Sequence, residues 1–343
     1  YSNVSLTTFT LPKLSKNTTI ILRNTLPNEI SSIDSLWLQT VYSTLEVSID
    51  GNKIYSYGLD LDKENINVGS GFHVIPFPAN SAQKNIELTI TTTQKDAFSA
   101  FKPFYIQRSI HTLSSFLRRS ILPFTSSVFL CFLGIIGTIV CIGALFLKKK
   151  ILPFFILSFF SFWVGMGVLT NTDLIQIFSS NFTINSYLEY AALYASALSL
   201  ILFFVVSIAQ SKFEKISSIA LITAFSLFCI VSIILERMNI IHIHQTLSYY
   251  QIICSAMMVF GLIISIQKII TKNGRILFSS LSFTFLIFFC ILDLSRYIIQ
   301  KYFLPTYPLF YTSLLTIGVI IFIISELLFY FTSMQAEITG LLS

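Results

Sequence analysis

Runs of about twenty apolar residues recur along this chain, the length a helix needs to cross the hydrocarbon core of a bilayer. Seven such runs can be read, at 121–147, 151–169, 187–208, 216–235, 247–266, 276–298 and 309–331. Lipid offers no partner to an open backbone N–H or C=O, so each run is expected to coil into a helix. Composition agrees: 11% of the residues are charged, against about 25% in soluble domains. The polarity is uneven. Residues 1–120 read as an ordinary polar domain, while 121–333 are dominated by Phe, Ile, Leu and Ser. The expected fold is therefore a mainly α membrane protein, a seven-transmembrane-helix bundle preceded by an extracellular β-sandwich of jelly-roll type. The boundaries are 1–107 for the sandwich, 108–120 for a juxtamembrane linker, 121–333 for the bundle and 334–343 for the start of a cytoplasmic helix.

Seven crossings put the two ends on opposite sides. Lys148, Lys149, Lys150, Lys212, Lys215, Lys268, Lys272 and Arg275 share one set of loops; Arg237, Lys301 and Arg296 share the other. Arg118 and Arg119 oppose this assignment but are outnumbered. The positive-inside rule thus places the polar domain outside the cell and the C-terminus in the cytoplasm. The chain begins Tyr1-Ser2-Asn3, as expected of a processed or trimmed N-terminus. All five cysteines sit in apolar runs without CxxC or metal-ligand spacing, and read as small apolar fillers. No basic cluster with interleaved aromatics argues for nucleic acid.

The outer domain shows short β-type runs between turn signals, at 19–24, 35–41, 45–50, 53–58, 72–77, 86–93 and 103–107. In "VSIDGNKIYSY" the Asp50-Gly51 pair can adopt positive φ and close a tight hairpin. Sandwiches of this kind hold small-molecule or carbohydrate ligands on exposed aromatics, and Trp37, Tyr42, Tyr55, Tyr57 and Phe72 are the candidates. Alternate members of such runs also face a core. His73 reads as a surface or strand residue.

Charges at membrane depth cost free energy, so their depth matters. Asp293 and Arg296 lie roughly 25 and 30 Å along the sixth run at ~1.5 Å per residue, at its outer rim. Spaced i, i+3, they share a helix face and can pair. Glu189, Glu236 and Arg237 stand at the same level, so these five residues form a candidate polar collar coupling the outer domain to the bundle. Snorkelling at helix ends explains the same placement. Glu326 is the exception, nearer the cytoplasm. His242 and His244 have no carboxylate or cysteine close in sequence, and neither a metal nor a cofactor is expected.

Several segments carry a family resemblance: "LSKNTTIILRNTLP", "LEVSIDGNKIYSYG", "GSGFHVIPFPA" and "IELTITTT" in the polar domain, "FWVGMGVLTNTDLIQIFSSN" after the second run, and "ILDLSRYII" in the sixth. In these the chain resembles bacterial receptors with seven transmembrane helices and diverse intracellular signalling modules. Within that group it looks like the sensor regions of Firmicutes-type diguanylate cyclases carrying a GGDEF output domain. The resemblance implies a receptor, commonly a homodimer, that passes an external signal through its helices to a cytoplasmic enzyme. The closing "SMQAEITGLLS" looks like a signalling helix cut before that module. No GGDEF, EAL, kinase or phosphatase sequence is present, so this chain is expected to catalyse nothing.

Other classes fit less well. There is no Asp/Glu-Arg-Tyr triplet or Asn-Pro-x-x-Tyr stretch of a G-protein-coupled receptor, and no lysine for retinal in the last run. Proline is rare within the runs and charges lie at their ends, unlike a transporter. Neither Gly-x-Ser-x-Gly nor paired aspartates mark an intramembrane hydrolase. A membrane-anchored carbohydrate-binding or adhesion protein stays open as an alternative, with a transporter behind it.

Overall fold

The computed structural model describes residues 17–93, 104–146, 152–172, 174–175, 179–271, 274–302 and 313–342. The chain forms two compact units. The first is Tyr1–Ile121 with Thr170–Leu188; the second is Leu122–Leu169 with Glu189–Ser343.

Among the described residues the first unit has seven strands: β1 Thr19–Thr25, β2 Asp34–Val41, β3 Ser43–Ile49, β4 Asn52–Tyr57, β5 Ser70–Pro76, β6 Asn85–Thr92 and β7 Tyr105–Arg108. All seven coincide with runs read from the sequence. A single short helix, α1 (Leu59–Lys63), separates β4 from β5. The strands make two antiparallel sheets, ordered β1-β6-β3-β4 and β5-β2-β7. β2 and β3 are joined through Tyr42, whose φ of 46° turns the chain from one sheet to the other. Asp50 and Gly51 both adopt positive φ, 46° and 80°, closing the β3–β4 hairpin as their residue types require. Side chains alternate across each strand. Leu45, Val47 and Ile49 of β3, Ile86, Leu88 and Ile90 of β6, and Leu36 and Leu38 of β2 meet in one apolar core.

The second unit is helical. The helices are α2 (Ser109–Phe146), α3 (Leu152–Thr170), α4 (Phe182–Ser207), α5 (Lys212–Arg237), α6 (Leu247–Ile270), α7 (Gly274–Tyr302) and α8 (Ser313–Leu342), with a 3-10 turn at Ile243–Thr246. The 108–120 stretch is helical from Ser109 and runs without a break into the first apolar helix. Among the described residues six helices are long and apolar enough to cross a membrane, and Leu315–Tyr330 of α8 forms a shorter apolar stretch. This is the architecture of a multi-pass membrane protein.

Small residues let the helices approach closely. A Cβ added at Gly165 of α3 would stand 2.7 Å from the Cys131 backbone nitrogen of α2. Nearby, the Ser161 hydroxyl donates to the Leu130 carbonyl at 2.8 Å. Small-residue contacts of this kind serve where apolar burial does not distinguish helix from lipid. Phe322 of α8 packs edge-on against Phe160 of α3 and Phe203 of α4, joining three helices through aromatic rings. Large apolar side chains such as Ile139, Leu227 and Ile252 remain on the outside, as a lipid-facing surface permits.

The start of α5 is capped by its own sequence. The Ser211 hydroxyl accepts the Glu214 N–H at 3.1 Å, and the Glu214 carboxylate accepts the Ser211 N–H in return. This capping box satisfies two orphan donors at the helix start. The other Glu214 oxygen takes Lys268 Nζ of α6 at 2.8 Å.

Candidate functional site

In the first unit the apolar core turns polar at one end. The inward face of β2 runs Leu36, Leu38, Thr40, and on its antiparallel partner β5 the inward residues are Ile75, His73 and Gly71. Parity therefore puts His73 inside, 1% exposed, and turns Phe72 to the other face. The Thr40 hydroxyl lies 2.7 Å from Nε2 and the Tyr55 hydroxyl 2.9 Å from Nδ1. A neutral imidazole has one donor and one acceptor nitrogen, so one hydroxyl accepts from the ring and the other donates to it. Burial pushes the His73 pKa down to about 3, and the ring is neutral at physiological pH. Burial also raises the Tyr55 and Tyr57 phenols.

Two more rings complete the cluster. Tyr57 lies 4.9 Å from His73 between centroids, and Phe182 lies 5.1 Å from His73 and 5.0 Å from Tyr57. The Tyr57 hydroxyl donates to the Val68 carbonyl at 2.7 Å. Phe182 is the first residue of α4, 6% exposed. Asn181 accepts the Ile184 N–H at 3.0 Å, a side-chain cap on the helix start. The Thr183 hydroxyl donates to the Asn67 carbonyl at 2.9 Å. Two glycines make room for this turn. A Cβ at Gly71 would meet the Phe182 ring at 2.6 Å, and one at Gly69, where φ is +76°, would meet the Phe182 backbone at 2.6 Å. The start of a membrane-length helix is thereby seated in the packing of the β-sheet unit.

Of the five aromatic candidates, Tyr55 and Tyr57 converge on this cluster. Trp37 instead lies on the opposite face of β2, stacked on Tyr105 at 6.4 Å. Tyr42 sits at the β2–β3 corner, where its carbonyl accepts the Thr93 hydroxyl at 2.7 Å. Phe72 lies on the other face of β5 from His73; His73, read as a surface or strand residue, is a strand residue whose ring turns inward. Phe182 and Gly71, which sequence reasoning passed over, are the other half of the site. A packing contact between β5 and the start of α4 brings them together.

In the second unit two of the collar residues, Asp293 and Glu236, each accept a backbone N–H. Asp293 Oδ2 accepts the Leu315 N–H of α8 at 3.3 Å. A carboxylate on α7 thus caps an orphan donor in the first turn of the last helix and complements its positive end. The Arg296 side chain lies outside the described residues, as do those of Arg118, Arg119, Lys148, Lys149 and Lys150. Glu236 is buried; its carboxylate accepts the Ile243 N–H and lies 3.5 Å from His242 Nδ1. The fold therefore brings to His242 the carboxylate that its sequence neighbours lack. His242 and His244 stack at 5.9 Å. Glu189 is half-buried about two turns into α4, and Arg237 is exposed at the end of α5. Glu326 is fully buried in α8, where it accepts hydrogen bonds from Ser279, at 2.9 Å, and Ser282 of α7.

No family model matches this chain, and neither a curated protein nor a solved structure does.

Proposed function

We propose that this chain is the sensor module of a bacterial membrane receptor, detecting an external ligand with its β-sheet unit and passing the signal inward through its helices. The observation that carries this reading is the seat of Phe182. A helix long enough to cross the membrane begins as the aromatic plug of a strand-borne cluster. A ligand that shifts β4 or β5 would therefore move that helix start directly. The two sheets, with β1 and β3 in one, β2 in the other, and β6 returning between β1 and β3, support a jelly-roll-like sandwich of the kind that takes small molecules or sugars.

α8 supports the inward half of the reading. Its 30 residues reach about 45 Å at ~1.5 Å per residue, more than a ~30 Å hydrocarbon core requires. We read its apolar part as the seventh crossing and the remainder as a cytoplasmic signalling helix. The positive-inside count favours an outer β-sheet unit. Resemblance to the seven-helix receptors with diverse signalling modules favours a homodimer with a diguanylate cyclase as output.

The test joins the chain to a diguanylate cyclase domain and follows cyclic di-GMP in cells. Phe182→Ala shifts output, whereas Ile184→Ala, on the exposed side of the same turn, does not. Insertions of two to four residues after Glu337 change output with helical periodicity. Output indifferent to both changes would sink the proposal.

A further inference from the structure

Glu326 is fully buried within the apolar stretch Leu315–Tyr330 of α8. It lies about 6 Å from the end of that stretch at ~1.5 Å per residue. Side chains on a helix lean toward its N-terminus, which here carries the carboxyl toward the middle of the stretch. Ser279 and Ser282 stand at a similar depth on α7, roughly 5 and 9 Å past Ile276, where the membrane-length part of that helix begins. Phe278 and Phe329 stack at 5.1 Å across the same seam. Among the described residues no charged side chain interacts with Glu326; its partners are the two serine hydroxyls.

Counting protons separates the two ionisation states of this carboxyl. A serine hydroxyl has one proton to donate and lone pairs to accept with. The Ser282 hydroxyl has two acceptors in reach, Glu326 Oε1 and the Ser279 carbonyl at 3.2 Å. With Glu326 ionised, Ser282 donates to Oε1, Ser279 donates to Oε2 at 2.9 Å, and the Ser279 carbonyl gains nothing from Ser282. A negative charge then sits at membrane depth with two neutral donors, which is costly. With a proton on Oε1, the carboxyl donates to Ser282 Oγ, Ser282 turns its own proton to the Ser279 carbonyl, and Ser279 still donates to Oε2. That state makes three hydrogen bonds in place of two and buries no charge.

We propose that Glu326, Ser282 and Ser279 form a proton-binding site in the seam between α7 and α8, occupied at neutral pH. Uptake adds one proton to Oε1 and rotates one hydroxyl; each serine keeps its own proton and no heavy atom has to move. Release leaves an uncompensated charge between the two helices, so the site links their packing to proton activity. Occupancy does not depend on the chain being a sensor.

The test is infrared spectroscopy of the whole chain in lipid nanodiscs at neutral pH, where a protonated carboxyl absorbs apart from carboxylates and from the backbone amides. Wild type should show a protonated-carboxyl band that Glu326→Gln loses. Ser282→Ala keeps the acid but removes its acceptor, so the band should persist at a displaced frequency, which assigns it even if Glu326→Gln fails to fold. Absence of the band from wild type overturns the proposal, as does a band that a folded Glu326→Gln retains. The Arg275 side chain, one turn before Ser279, lies outside the described residues. A band that appears only on Arg275→Gln would mark an ion-paired carboxylate and would equally overturn the site. A band that Ser282→Ala leaves unmoved overturns the part assigned to Ser282.

Discussion

His73 makes the stability of the β-sheet unit depend on pH in a direction the structure dictates. Its folded pKa, about 3, lies below the ordinary 6.5 because burial disfavours the charged ring. Thr40, Tyr55, Tyr57 and Phe182 around it carry no charge at neutral pH that could hold the proton on. A depressed value means that the unfolded chain binds the proton first. Stability is then fully present above pH 6.5 and is lost as pH falls toward 3. Each unit of pH within that window is worth about 1.4 kcal/mol. Going from pH 7 to pH 5 should therefore remove about 2 kcal/mol, a substantial part of the 5–15 kcal/mol typical of a domain. Denaturant midpoints of the whole chain in nanodiscs can be followed through Trp37 after Trp163→Phe, since the chain has two tryptophans. Replacing His73 with Gln keeps a donor and an acceptor at the site but removes the titration. That variant should be less stable at pH 7 and should lack this loss between pH 7 and 5. The difference between the two pH profiles cancels the other histidines. Identical profiles for wild type and His73→Gln would refute the assignment of a buried neutral ring.

The remaining predictions concern close approaches and buried polar contacts. Gly71→Ala places a methyl 2.6 Å from the Phe182 ring and should cost about 1–3 kcal/mol; adding Phe182→Ala should recover part of that loss, a non-additivity that a double-mutant cycle reads directly. Gly165→Leu should separate α2 from α3 at a similar cost, seen as a lower thermal midpoint in detergent. Glu326→Gln should keep the contacts with Ser279 and Ser282 and leave that midpoint nearly unchanged, whereas Glu326→Leu should lose about 1–2 kcal/mol of helix–helix stabilisation. Equal behaviour of the two Glu326 variants would mean that its hydrogen bonds contribute little.

Periodicity made the elements legible. All seven strands, the Asp50-Gly51 hairpin and the six membrane-length helices follow from local patterns, because alternation, turn chemistry and apolar length act within a few residues. The site was half legible. Tyr55 and Tyr57 could be nominated as aromatics spaced i, i+2 on one strand, but nothing near them points to Phe182, which lies more than a hundred residues away. Strand parity left β5 open: "FHVIPF" has apolar residues on both faces, so the alternation does not say whether Phe72 or His73 turns inward.

What the sequence by itself determined was a polar β-rich region followed by lipid-compatible helices, since the length and polarity of each segment leave the backbone few ways to satisfy its hydrogen bonds. What only the tertiary structure decided was which polar groups meet. Asp293 shares a helix face with Arg296 by its spacing; the fold adds a contact from another helix, the Leu315 N–H at the start of α8. Glu236 turns to Ile243 and His242, and Glu326 to two serines of the neighbouring helix. A polar side chain deprived of water bonds to whatever donor packing brings within reach, and that donor comes from another element as readily as from its own.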